Sequence, residues 1–389
     1  MRPSLAIVAL TSACLVAARA AGAAEWSAAP QIGWSVSHDS NQALTEDGDA
    51  GEGAYLNMDL LLRRATPNTS FQLRPHVTLQ RFNNDEVNDS DNESVQAAGH
   101  WRTPRSLYSA QASAVHENTL NNVDSDLFGV DVRRRTNSAS FGWTHDQTKD
   151  RHQLQATLSY SEADYQGNVL YRESGYRYPS ASITQSLGWS PRSSIQLTAF
   201  GSHLDSDSGR TSDSYGAQIG FTYDYSERIN AQLAGGYSRQ TIEQPIFFGL
   251  FTAKTRDSSY NGLFQVTRRD TLGQWRISAS RSVTPSGFGV LVTRTEAVVA
   301  FDRRIAARWS ANASLRHVGN QDVGEIASGE VRNYQRFDAG LSWRASRAWT
   351  LNVSTFLNRL ERNTNSPLAE GWGAVLSATW VPNPRLLSR

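Results

Sequence analysis

The sequence predicts an all-β protein, a transmembrane antiparallel β-barrel of about eighteen strands (16–18), and three observations predict it. Apolar and polar residues alternate for about ten residues at a time. Phe71, Leu73, Val77 and Leu79 share one parity, and Gln72, Arg74, His76, Thr78 and Gln80 the other. The pattern returns in Leu154, Ala156, Leu158 and Tyr160 against Gln153, Gln155, Thr157 and Ser159, and in Trp309, Ala311, Ala313 and Leu315 against Ser310, Asn312, Ser314 and Arg316. Side chains of a strand alternate faces, so each segment has one apolar and one wet side. A tilted strand needs about 9–11 residues to cross a bilayer, whereas soluble strands average about 5–6. Short polar turns punctuate the alternation, and tryptophans gather beside those turns on the apolar parity.

Taken in order, the chain opens with Arg2, an apolar run from Leu5 to Ala18 and the small residues ARAAGAA. This is a secretory signal peptide over 1–24, cleaved after Ala24, with Ala20 as the second choice. The apolar run is too short for a membrane helix. LTSAC, ending at Cys14, matches a lipoprotein box only loosely. Cys14 is the sole cysteine, so the remaining chain has neither a disulfide framework nor a thiolate metal site. A first strand is expected over Gln31–Ser37.

Eight short connections follow: ATPNTS (65–70), TPRSL (103–107), QTKDR (147–151), SPRSS (190–194), YSERI (225–229), RDTLGQ (269–274), RRIAAR (303–308) and RASRA (344–348). Pro, Ser, Asn and Gly give them turn chemistry. Between successive short turns lies a strand, a longer polar loop and another strand. Eight turns join sixteen strands; Gln31–Ser37 before them and Trp372–Trp380 after them make about eighteen, with both ends on one side of the membrane. The barrel is therefore expected over 25–381, and 382–389 as a short periplasmic tail.

A recurring period of about forty residues also suits a β-propeller. The length of each alternating run argues against it, and so do the tryptophans. Trp101, Trp143, Trp189 and Trp343 end strands before short turns, Trp275, Trp309 and Trp349 begin strands after them, and Trp380 closes the last strand. One height on the outside of a barrel explains this as a membrane-interface girdle; a soluble core does not.

Formal net charge is +1, which gives no field for nucleic acid. Mean hydropathy is −0.49, and no apolar run of membrane-helix length follows the leader. Acidic residues cluster in TEDGDAGE (45–52) and NNDEVNDSDNE (83–93), while arginines such as Arg63, Arg64, Arg105, Arg192, Arg303, Arg304, Arg344 and Arg347 flank the short turns. Loops 39–52, 83–93 and 118–131 are thus expected outside the cell and the short turns in the periplasm.

The wet parity lists what a solute would meet: Arg74, His76, Arg102, Arg276, Arg294, Glu296, Arg316, Arg336 and Asp338 among many amides and hydroxyls. Arg294–Glu296 and Arg336–Asp338 are spaced to pair with each other; alternatively the guanidinium groups are free to contact uronates on a sugar polymer. No cofactor or metal site is expected, and no catalytic residue. The candidate acid–base pairs are His38–Asp39, His116–Glu117, His145–Asp146 and His203 near Asp205, and adjacent residues on a strand face opposite ways. HExxH, GxSxG and phosphate-loop patterns are missing.

The strand IGWSVSHDSN (32–41) and the aromatic–turn–Arg hairpins LGWSPRSSIQL and FTYDYSERINAQL (221–233) resemble the β-barrel porin 2 family of exopolysaccharide export clusters. The resemblance implies an outer-membrane porin of a Gram-negative cell that passes a secreted exopolysaccharide, as in biofilm formation. It implies a periplasmic polysaccharide-export protein as partner, alongside lipopolysaccharide, other outer-membrane lipid and the barrel-assembly machinery. A diffusion porin for small solutes and a non-conducting adhesion or scaffold barrel are the alternatives. A diffusion porin usually carries an inward-folded loop; GNVLYRESGYRY (167–178) and QPIFFGLFTAKTRDSS (244–259) are the candidates. The second holds Ile246, Phe247, Phe248, Leu250 and Phe251 where a loop should be wet, so it tops a longer strand, folds inward or binds a partner.

Overall fold

The computed structural model describes residues 25–42, 44–46, 48–83, 87–119, 132–147, 152–166, 174–246, 251–323, 332–361, 368–382 and 385–388. The expected signal peptide lies outside them. Every regular element among the described residues is a strand: β1 (Glu25–Asp39), β2 (Gly51–Ala65), β3 (Thr69–Phe82), β4 (Ser90–Arg102), β5 (Ser106–Asn118), β6 (Arg133–Asp146), β7 (Gln153–Gln166), β8 (Tyr176–Ser190), β9 (Ser193–Ser206), β10 (Thr211–Ser226), β11 (Ile229–Ile246), β12 (Phe251–Arg269), β13 (Gly273–Pro285), β14 (Leu291–Arg304), β15 (Trp309–Asp322), β16 (Arg332–Arg344), β17 (Trp349–Glu361), β18 (Ala369–Trp380) and β19 (Arg385–Ser388). β1 to β18 pair antiparallel in chain order. β18 returns to β1, from Ile32↔Trp380 to Asp39↔Gly373, and closes an eighteen-strand barrel.

All eight expected short turns separate strands where the sequence placed them. Their polar residues hold them in shape: Thr66 Oγ1 accepts from the Thr69 N–H at 3.0 Å, Thr103 Oγ1 from Ser106 at 2.9 Å, and Ser346 Oγ from Trp349 at 3.1 Å. Asp270 Oδ1 accepts from both Leu272 (2.7 Å) and Gly273 (2.9 Å), and those two backbone bonds hold its carboxyl below the usual pKa.

The structure adds detail to two expectations. Within the expected tail, residues 385–388 form a strand. β1 is longer than expected, and its first residues run past the end of β18, so they would leave an open edge. β19 covers it, pairing Ala28↔Arg385, Ser27↔Leu386 and Trp26↔Ser388. The segment 244–259 is not a loop: Gln244–Ile246 complete β11 and Phe251–Ser259 begin β12, the two longest strands at 18 and 19 residues. Of the readings offered for its apolar residues, a longer strand is the one observed; 247–250 lie outside the described residues, as do 167–173 and 120–131.

Candidate functional site

The register fixes which side chains face inward. Ile32, Trp34, Val36, Leu158, Ile183, Ile219, Leu233, Leu315, Val353 and Leu357 are exposed large apolar groups on one parity, which suits a lipid-facing wall. All eight girdle tryptophans share that parity near the short turns. Trp101 stacks on Tyr108 across β4–β5 at 5.1 Å, Trp309 on Trp343 across β15–β16 at 6.0 Å, and Trp349 sits opposite Trp380. The other parity lines the lumen.

There the expected site residues fall into two groups and two singletons. On β2–β3, Arg74 Nε donates to Asp59 Oδ2 at 2.7 Å, His76 Nδ1 lies 3.4 Å from the same oxygen, and His76 Nε2 is 2.9 Å from Thr78 Oγ1. On β14–β16, Glu296 is shared by Arg294 (3.7 Å) and Arg316 (2.9 Å), and Arg336 holds Asp338 at 2.8 Å. Arg336 also lies 4.5 Å over the Phe356 ring; that ring occupies the space a Cβ on Gly373 would need, only 2.3 Å away. Arg102 and Arg276 face the lumen near the turn end, away from both groups. Most of the arginines expected to be free for a solute are thus already paired with a carboxylate.

Sequence reasoning missed three features of this lumen. Asp59 lies on the wet parity of its strand and was legible there. Glu117 and Arg134 form a partly buried ion pair across β5–β6, directly opposite in register. The largest omission is at the mouth. β12 and β13 pair only from Arg269↔Gln274 to Gly262↔Arg281; above that point β12 is paired with β11 alone, and the upper β13–β14 hairpin packs inside the barrel. Leu291 and Val283 pack with Leu204, Ile242, Tyr176 and Tyr178, which face the lumen from β8, β9 and β11. The hairpin's Phe288 reaches Tyr165 on β7 and Val132 just before β6.

Its tip is bonded in place. Ser174 N donates to Gly287 O at 3.0 Å, Ser286 N to Val290 O at 2.8 Å, and Phe288 N to Ser286 Oγ at 3.2 Å. Gly289 has φ +67, and a Cβ there would lie 2.0 Å from Ser206 Oγ and 2.9 Å from Ser174 Cβ, so only glycine fits. From the opposite side the β1–β2 connection leans in: Leu44 packs on Val318, Tyr334, Leu360 and Ala369, and Asn41 Nδ2 donates to Glu370 O at 3.0 Å. The signal for the hairpin was present: Phe288, Val290 and Leu291 are apolar in SGFGVL, where a solvated loop should be polar.

The remaining acid–base candidates do not assemble a catalytic set among the described residues. His38 and Asp39 face opposite sides; His203 bonds Asp213 of the next strand at 2.8 Å, exposed on the outer parity. No group of three or more His, Cys, Asp or Glu side chains that could hold a metal occurs among the described residues.

No family model matches the chain, and no curated protein sequence matches it significantly. Solved structures do match. OccK2 (OpdF) of Pseudomonas aeruginosa, crystallised with glucuronate, superposes with a TM-score of 0.50 at 10% identity, covering 93% of this chain and 98% of its own. The copper transporter OprC gives a TM-score of 0.50 at 10% identity, covering 90% of this chain and 66% of its own. At such identity the likeness is one of fold: this chain is a closed antiparallel barrel of the kind found in outer-membrane channels.

Proposed function

We propose that the protein is an outer-membrane porin for small hydroxylated solutes, a passive channel and not a catalyst. The observation that carries this reading is the β13–β14 hairpin folded into the lumen and bonded across it to the β7–β8 connection. A hairpin that narrows the mouth suits the passage of small molecules, while a moving polymer needs an open bore along its whole length. The lumen offers hydroxyl and amide partners with its guanidinium groups largely neutralised, which favours polar solutes of low net charge. The girdle tryptophans would then lie at the periplasmic lipid interface, with the long loops outside the cell. Support from known folds is general: barrels of this kind include a channel crystallised with a sugar acid.

Exopolysaccharide export, the function implied by the family resemblance, requires the hairpin to swing out of the lumen. The experiment that separates the two uses purified protein in liposomes and a deletion strain. Monosaccharide-sized solutes should enter proteoliposomes, with uptake falling steeply as the solute lengthens, and secreted polymer should be unchanged in the deletion strain. Undetectable uptake together with polymer trapped in the periplasm would overturn the proposal.

A further inference from the structure

The outer face of the barrel carries a basic region without acidic partners at the fork where β12 and β13 part. Arg239 on β11, Arg256 on β12 and Arg281 on β13 are exposed on the outward parity. None of the three side chains has a hydrogen-bond or ion-pair partner among the described residues. The only carboxylate on the outward faces of β11–β13 among the described residues, Glu243, is taken by Lys254 at 2.7 Å. Three other arginines of the outer face are matched: Arg81 with Asp91 at 2.8 Å, Arg177 with Asp205 at 3.9 Å, Arg359 with Glu370 at 3.7 Å.

Below this region the wall is apolar and concave. Tyr237 and Tyr260 meet edge to face at 5.8 Å, and beneath them a groove is lined by Leu197, Ala217, Ile219 and Gly235. Gly235 has nothing within 4 Å of where its Cβ would be, and it sits directly opposite Gly262, the last residue of β12 to pair with β13. Acyl chains fit such a groove, and the tyrosines mark where hydrocarbon gives way to headgroups. Arg239 and Arg256 lie above the tyrosines along their strands, and Arg281 stands beside the groove in register with Gly262; the guanidinium group is the side chain best shaped for phosphate.

We propose that this fork is a binding site for lipopolysaccharide, with acyl chains in the groove and sugar phosphates on Arg281, Arg239 and Arg256. The choice of a multiply phosphorylated glycolipid over a phospholipid follows from spacing. Gly262, level with Arg281, lies six residues below Arg256 on β12, about 20 Å along the strand. One phospholipid phosphate cannot span that, whereas a glycolipid carrying phosphates on several sugars can. The inference rests on the outer-membrane placement proposed above, but it does not depend on what the lumen conducts.

The test is lipid retention by the purified full-length barrel in detergent, read by native mass spectrometry with bisphosphorylated lipid A and with phosphatidylglycerol as separate probes. Wild type should hold one lipid A, and the triple variant Arg239→Gln, Arg256→Gln, Arg281→Gln should bind it at least tenfold more weakly. A control carrying Arg81→Gln, Arg177→Gln and Arg359→Gln should bind as wild type does. Conductance of the triple variant should be unchanged, because these arginines lie outside the lumen. If the triple variant fails to assemble, the three single variants serve: each should weaken binding threefold or more. Absence of lipid A binding by wild type, wild-type affinity in the Arg239/Arg256/Arg281 variants, or equal retention of phosphatidylglycerol would overturn the proposal. A barrel that passes no solute yet retains lipid A would sink the porin reading and leave this one standing.

Discussion

The wall formed by β2–β3 and β14–β16 and the wall formed by β7–β11 line the same lumen with different chemistry. The first carries Asp59, Arg74, His76, Arg294, Glu296, Arg316, Arg336 and Asp338, locked into ion pairs. The second presents hydroxyls and amides, and its lumen-facing strand residues carry a single charge, Asp224, beside a turn. There Thr184 and Thr198 share a hydrogen bond at 2.9 Å and Tyr178 donates to Ser202 at 3.0 Å. Ser238 and Ser259 are 3.1 Å apart, with Gln240 donating to Ser238 at 2.8 Å. The inward hairpin rests on the upper part of this neutral wall, where Gln240 has no exposed surface at all. An apolar hairpin can fold over hydroxyls that already bond one another across strands; covering the charged wall would bury ion pairs at a far larger desolvation cost. The contrast therefore explains where the constriction sits as well as what each wall offers a solute.

The comparison breaks most clearly at the hairpin. Replacing 286–290 by a two-residue turn should raise single-channel conductance several-fold while the barrel keeps its heat-modifiable migration in gels. Unchanged conductance would mean that the hairpin does not limit the pore. The next largest effect is expected at the charged wall. Glu296→Gln removes a carboxylate that Arg294 and Arg316 share and adds net positive charge to the lumen. A unit charge in a water-filled pore is worth about 1 kcal/mol at close range, so permeability should shift toward anions by roughly fivefold, read as reversal potential in a salt gradient. Asp59→Asn should move selectivity the same way by a smaller factor, because Arg74 is more than half exposed and already solvated. Smallest of all, Thr198→Val on the neutral wall should leave ion selectivity unchanged and cost about 1 kcal/mol of stability in a urea titration, since Thr184 then loses its cross-strand partner. A selectivity shift from Thr198→Val equal to that from Glu296→Gln would erase the distinction between the walls.

How much of this was legible depended on how local the cause was. Alternation is a property of each segment, so Phe71–Gln80 and Trp309–Arg316 declared their faces before any partner was known. Turn chemistry is equally local, and Thr66, Thr103, Asp270 and Ser346 sit where their oxygens cap the turns. The pairing of Arg336 with Asp338 was readable from the two-residue spacing on one parity. What escaped depends on distant strands meeting. Phe288 inside the lumen needs Val132 and Tyr165 to receive it, and Gly289 needs Ser174 and Ser206 at contact distance. The freedom of Arg239, Arg256 and Arg281 is legible only once β12 and β13 are known to part at Gly262↔Arg281.

The strand β19 sets a condition on timing. Among the described residues the base of β1, from Trp26 to Ala28, is covered on the flank away from β2 by Arg385–Ser388 alone, and the pairing above it joins residues nearly the whole sequence apart. Such contacts are the slowest in any chain, because the long intervening loop must be closed before they return any energy. Every other strand can find its neighbour as a hairpin, but this seam cannot form until residues 385–388 have been synthesised and delivered. Until then β1 presents a bare row of backbone donors and acceptors. The β1–β18 and β1–β19 pairings are thus the last contacts the barrel can complete, and until they form the edge of β1 stays open to any other strand.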